Sequence, residues 1–197
     1  MAQQRGRRRR EKLLAAAEAL FRESGVGGAT LAQVAQRAGV PAGGVFYYFP
    51  TKQALCAAVA DRHQGFFAAF LSGLDQALDE PAARLGAFLD GADRIARDRA
   101  QLGCPVAQLA ADLSHEGLDA APAAQVFRDM LAWLERQFRA AGLDAAAARS
   151  GAVHLMAGTQ GAFALGFALR DEEVIRDEVA ALRRWLADAL ARAPQAS

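Results

Sequence analysis

Cysteine and histidine are both scarce in this chain, and each shortage removes a class of function. Two cysteines, Cys56 and Cys104, among 197 residues supply neither a disulfide framework nor a zinc set, and they fit a reducing compartment. The three histidines, His63, His115 and His154, yield one acid–histidine pair, Asp112-x-x-His115. A di-iron helical bundle needs two Glu-x-x-His motifs and two further carboxylates. No P-loop, GxGxxG, nucleophile elbow or HExxH occurs. No metal, cofactor or enzyme activity is therefore expected.

Long apolar runs are missing as well, with one exception. Residues 150–169 carry no formal charge, yet His154, Thr159, Gln160 and the glycines among them favour a buried, closely packed helix over a membrane span. A targeting peptide is also disfavoured, because Glu18 interrupts the apolar run from Leu13 to Phe21, and Glu11 and Glu23 add acids to it. A cytoplasmic protein without a membrane partner is expected.

What is present is a folded composition, 53% hydrophobic and 23% charged, whose formal charge of +1 hides an asymmetry. Residues 1–52 hold nine basic against three acidic side chains, a net +6, and include both lysines, Lys12 and Lys52. The remainder holds fourteen against nineteen, a net −5. A basic head on an acidic body points to a polyanion partner for the head alone.

Helical periodicity runs through the chain and no alternating strand pattern emerges, so an all-α fold of about nine helices is expected. Leu13, Leu14, Ala17, Leu20 and Phe21 share one face of a first helix over about 8–23, ended by Gly25. Residues 1–7 and 193–197 read as frayed ends. Thr30 and Gln33 form a capping box for a short second helix through Arg37, and Gly39 breaks it. Pro41 suits the first position of a third helix that stops near Tyr48, before Phe49-Pro50. Thr51 caps a long fourth helix. Further helices are expected over about 81–100, 105–114, 121–141, 144–169 and 171–193.

The segment Thr30 to Lys52, TLAQVAQRAGVPAGGVFYYFPTK, has helix-turn-helix spacing: Ala35 where two helices cross, Gly39 at the turn, and Val45 closing a small core with Leu31 and Val34. The third helix would enter a major groove while the second lies across the backbone. Its continuation through Phe46-Tyr47-Tyr48-Phe49-Pro50-Thr51-Lys52 resembles the TetR family of transcriptional regulators, and the resemblance spans residues 8–56. It departs from the family pattern at Phe46, where Tyr is usual, and at Ala42, where Lys is common.

The resemblance implies phosphate contacts from Thr30, Tyr47, Tyr48 and Lys52, with Ala42, Gly43 and Gly44 facing bases. So small a recognition front leaves little direct hydrogen-bond readout, so specificity would draw on Gln33, Gln36, Arg37, the Tyr47 edge, DNA shape and the Arg5–Arg10 run. That run either enters a minor groove or follows phosphates. The phosphate reading is preferred because the run reads as unstructured charge. Phe49 is expected in the core.

The division expected is a DNA-binding domain over 1–51 and a ligand-binding and dimerisation domain over 52–197. Within the second, the aromatic run Phe66, Phe67 and Phe70, with His63, Gln108, Trp133 and His154, offers effector contacts, since small-molecule sites are apolar with few polar anchors. Gly103-Cys104-Pro105, followed by Gln108-Leu109-Ala110, is similar to a Gly-Cys-x-x-x-x-Leu-Ala segment of one TetR branch. Cys104 is either an activated thiol at a helix start or an inert packed one. The resemblance also implies dimerisation through the last two long helices, with Gly158, Gly161, Phe163, Leu182 and Leu186 as interface candidates.

The reading as a whole is a homodimeric transcriptional regulator, a repressor released from a palindromic operator in double-stranded DNA by a small-molecule effector. The competing reading is a helical small-molecule-binding or catalytic bundle whose basic head contacts another polyanion.

Overall fold

The computed structural model describes residues 2–192, and the side chains of all of these except 2, 3 and 42. Ten helical segments and no strand occur among the described residues: α1 Ala2–Gly28, α2 Leu31–Ala38, α3 Ala42–Tyr48, α4 Lys52–Ala77, α5 Pro81–Arg94, α6 Ala96–Leu102, α7 Pro105–His115, α8 Ala121–Ala140, α9 Ala145–Leu169 and α10 Glu173–Ala191. They amount to nine helices when α5 and α6 are taken as one broken helix, and the all-α expectation holds.

Two boundaries differ from expectation. The helix expected over 81–100 is interrupted at Ile95, whose φ of −103° and ψ of 9° lie outside helical geometry. The first helix does not wait for Arg8, since residues 2–7 are already helical. Arginine is a good helix former, so the run of cations does not prevent the helix. The expected fraying of Met1 and of 193–197 falls outside the described residues.

The chain divides into two compact units, Met1–Gly65 with Pro105–Val126, and Phe66–Cys104 with Phe127–Ser197. In the first, Leu13, Leu14 and Ala17 of α1 pack with Val34 and Ala35 of α2, Val45 of α3, Phe49, Leu55 and Val59 of α4, and Leu109 and Leu113 of α7. Helix α7 thus shares a core with the helix-turn-helix. Gly25 lets the chain turn within α1, at φ 70° and ψ 172°, a conformation that a side chain would strain.

In the second unit, α9 packs against α10 and α6, and α10 against α5. Its core includes Leu85, Phe88, Leu89, Leu134, Phe138, Leu155, Ile175 and Leu182. Helix α9 is long and apolar enough to cross a membrane by composition, but Leu155, Met156, Ala162 and Phe163 are buried in this core. That is the pattern of a core helix, as its buried side carries the apolar bulk and its glycines permit close packing.

Candidate nucleic-acid interface

The helix-turn-helix is set by local bonds legible in the sequence. Thr30 caps α2 through both arms of a capping box: its hydroxyl accepts the Gln33 N–H at 3.2 Å, and the Gln33 Oε1 accepts the Thr30 N–H at 2.8 Å. Gly39 ends α2 in the left-handed region at φ 64°, its N–H reaching the Ala35 and Gln36 carbonyls, a C-cap that favours glycine. Pro41 stands one position before α3, at its N-cap, rather than at its first helical residue. Its φ of −53° still directs the chain into the helix, as proline's restricted φ favours.

The outward side of α3 presents glycine and aromatic rings and no charged side chain among the described residues. Gly43 is exposed with open space where a Cβ would stand, while a Cβ on Gly44 would meet Val40 Cγ1 at 2.9 Å. Phe46 and Tyr47 are 53% and 84% exposed, and they follow Gly43 at i+3 and i+4, the spacing of one helix face. Tyr48 is half-buried against the core, its ring edge-on to Tyr47 with centroids 5.0 Å apart. Phe49 is 2% exposed, as expected, and the Arg10 guanidinium lies over its ring at 5.4 Å. The Ala42 side chain falls outside the described residues. Phe46 was not singled out as a contact in the sequence; its place at i+3 from Gly43 was the available signal.

Several expected contacts have partners within the protein. Arg37 forms a forked pair with Glu23, its Nη1 and Nη2 at 2.5 and 2.8 Å from the two carboxylate oxygens. This hydrogen bonding holds the Glu23 carboxyl below its ordinary range. The Lys52 ammonium donates to the Gly27 carbonyl at 3.2 Å, leaving two of its three donors for other acceptors. Gln33 spends its carbonyl oxygen on the capping box.

The effector-contact candidates fall into separate groups. His63 and Gln108 line a cavity of about 20 Å³ with Glu18, Phe21, Arg22 and Asp112, room for about one water. Burial pushes the Glu18 carboxyl up, against the pull of Arg62 and Arg22. In the second unit, Phe70 lies 6.5 Å from Phe88, and Phe88 lies 6.2 Å from Trp133. The Trp133 indole N–H is taken by the Asp75 carboxylate at 3.0 Å, and Gln137 donates to the same carboxylate at 3.2 Å.

Phe66 is exposed and edge-on to Phe67. His154 stacks on Trp185 with centroids 4.2 Å apart, and Trp185 lines a recess of about 530 Å³ between Gly142 and Arg192. Cys104 is half-buried, whereas Cys56 is buried and its thiol is pushed up to about 11 by that burial. Arg99 was missed in the sequence: its Nε is buried without a hydrogen-bond partner, as is the Gln160 Oε1, and burial pulls the guanidinium pKa down. The remaining bond of Arg99 is to the Gly103 carbonyl at 3.2 Å.

Of the interface candidates, Phe163, Leu182 and Leu186 are buried within the protomer. A Cβ on Gly158 would meet Leu182 at 2.9 Å, while Gly161 faces open space. Among the exposed positions of α9, Ser150, Val153, His154, Ala157, Gly161, Ala164, Leu165 and Ala168 form a stripe along one side of the helix, with Arg149 exposed at its start.

The helix-turn-helix of α2 and α3 within an all-α fold defines the class of the protein. Residues 13–59 match the model of bacterial regulatory proteins of the tetR family, and residues 81–181 match that of the C-terminal domain of LmrA/YxaF-like transcriptional regulators. The chain belongs to the TetR family. It is similar to an uncharacterized HTH-type transcriptional regulator of Lactococcus lactis subsp. lactis, 32% identical over 130 residues, which span 63% of this chain and 65% of that protein.

The fold is also that of a TetR transcriptional regulator from Legionella pneumophila, with TM-score 0.77 and 22% identity over 89% of this chain and 95% of the other. The TetR-family regulator SCO4454 from Streptomyces coelicolor superposes with TM-score 0.79 and 16% identity, over 93% and 96% of the two chains.

Proposed function

We propose that this protein is a homodimeric, effector-released repressor that binds a palindromic operator in double-stranded DNA and acts in the cytoplasm, without a catalytic activity of its own. The observation that carries the reading is the exposed face of α3, where Gly43, Phe46 and Tyr47 stand clear of the core on a head bearing +6. Gly43 lets the backbone approach base edges, and Phe46 presents an apolar surface to thymine methyl groups. Tyr47, Tyr48 and the two remaining Lys52 donors are assigned to phosphates, which orient the head without reading sequence.

Two heads on a two-fold axis would read half-sites about 34 Å apart. The exposed side of α9, mostly small and apolar with His154 among it, supports that pairing, since a two-fold interface sets the same patch of both copies face to face. The effector belongs to the second unit in this reading. The polar atoms Arg99 Nε and Gln160 Oε1, buried there without partners, favour an effector that carries hydrogen-bonding groups on an apolar frame. An effector shifts the operator-bound population only as far as it prefers the released state.

The test is selection of genomic fragments by the purified protein, followed by gel shift on the recovered sequence. Selective binding of a dimer, with Tyr47→Ala weakening operator and scrambled duplex alike, supports the reading. Equal binding to any duplex, RNA or heparin would overturn it in favour of a general polyanion-binding bundle.

A further inference from the structure

The arginines before Glu11 lie outside the helix-turn-helix and read from the sequence as unstructured charge along phosphates. They are not an unstructured tail: α1 is helical from Ala2, and its first turns lie beside the end of α3. A Cβ on Gly6 would stand 3.7 Å from the Tyr48 hydroxyl, and Arg10 covers Phe49 at 5.4 Å. Arg5, Arg8, Arg9 and Lys12 are related by spacings of three, four and seven residues, which place them along one side of the helix. All four are exposed.

No ion pair involves Arg5, Arg8 or Arg9 among the described residues. The acids of α1 are engaged elsewhere or lie at the edge of the stripe. Glu23 is held by Arg37 and Glu18 lies near Arg62, while Glu11, three residues after Arg8, borders the stripe at the Arg8 edge. Like charges at i+3 and i+4 destabilise a helix, so this stripe carries a repulsion that an anionic partner relieves. Its length of about 10 Å at 1.5 Å per residue matches about three phosphates of one strand at 3.4 Å of axis each.

We propose that the first turns of α1 form a second DNA-contact element. In it a helical stripe of Arg5, Arg8 and Arg9, continued by Lys12, neutralises the phosphates flanking the segment taken by α3. The element rests on the reading of α3 as the recognition helix. Its guanidiniums bind phosphate in forked pairs and add affinity without sequence preference. Helical presentation means that little order has to be gained on binding.

The test compares wild type with Arg5→Ala/Arg8→Ala/Arg9→Ala and with the corresponding triple Lys variant, measuring affinity for the selected operator and for a scrambled duplex across salt concentrations. The triple Ala variant should have a thermal midpoint no lower than wild type, as the repulsion is removed, and should keep its preference for operator over scrambled duplex. The plot of log affinity against log salt should become shallower by about 0.9 for each phosphate no longer neutralised, and the triple Lys variant should restore the slope.

An unchanged slope in a protein that still selects its operator overturns the stripe and leaves the regulator reading intact. Failure of Lys to restore it, or loss of sequence preference in the Ala variant, overturns the phosphate role in favour of groove readout. If wild type itself selects no duplex sequence, both readings fall together.

Discussion

The Asp112 carboxylate accepts the backbone N–H of Val26 at 2.8 Å, joining residues 86 apart in sequence just past the turn at Gly25. Val26 is fully buried, so without Asp112 its N–H depends on a water entering the small cavity that Asp112 lines. A buried, unsatisfied donor costs about 1–3 kcal/mol. Asp112→Ala should therefore lower the unfolding free energy by that amount in chemical denaturation, with a smaller loss in Asp112→Asn, whose amide oxygen still accepts. Equal stability of Asp112→Ala and wild type would show that the bond contributes nothing net.

The adjacent glycines at the front of α3 should respond in opposite ways. Gly43 has open space at its Cβ position, whereas a Cβ at Gly44 would stand 2.9 Å from Val40 Cγ1, and Val40 is buried. Gly43→Ala should stabilise α3 by about 1 kcal/mol through helix propensity while changing the order of preferred operator bases. Gly44→Ala should lose stability, since overpacking costs about 1–3 kcal/mol. Thermal unfolding reads the first effect and competition gel shifts the second; identical sequence preference in Gly43→Ala would remove that residue from the base-facing surface.

The head was the most legible part of the sequence because local bonds determine it. Thr30 and Gln33, Gly39, and the Phe49-Pro50 stop act within a few residues of themselves, and each sits where its side-chain chemistry placed it, Pro41 being displaced by one position. The interruption at Ile95 was not legible, because no glycine or proline marks it. The helical start at Ala2 was hidden by charge that resembles a disordered arm. Pairings such as Asp112 with Val26, or Trp133 with Asp75, join helices distant in sequence and leave no periodic trace. Glycine spacing in α9 marked a close approach at Gly158, to Leu182 of the same chain, but not at Gly161, which faces open space, and spacing alone cannot say which helix comes near.

Burial raises the Glu18 carboxyl pKa above its ordinary value of 4.5, with Arg62 and Arg22 pulling it back. The folded state then holds the proton more tightly than the unfolded state. The stability this provides is present below about pH 4.5 and is lost as pH rises through the folded-state value. Glu18→Gln has no such titration, so its stability relative to wild type should be more favourable at pH 7 than at pH 4. Thermal midpoints of both proteins at the two values check the sign. A difference that does not change with pH would place Glu18 in a more solvated setting than its contacts indicate.

Gly161 separates the dimer reading from simple packing of α9. It faces open space within the protomer and lies mid-stripe between Ala157 and Ala164, all three exposed. The Cβ of Gly161→Glu therefore meets no neighbour in its own chain, and replacing a mid-helix glycine favours the helix by a few tenths of a kcal/mol or more. On a two-fold interface the same change enters from both copies, placing two like charges on one mostly apolar patch. Sedimentation velocity should show wild-type dimers and Gly161→Glu monomers of unchanged helicity. Operator affinity should fall with the dimer, because each monomer retains one half-site contact. A Gly161→Glu protein that remains dimeric would move the interface away from this stripe of α9.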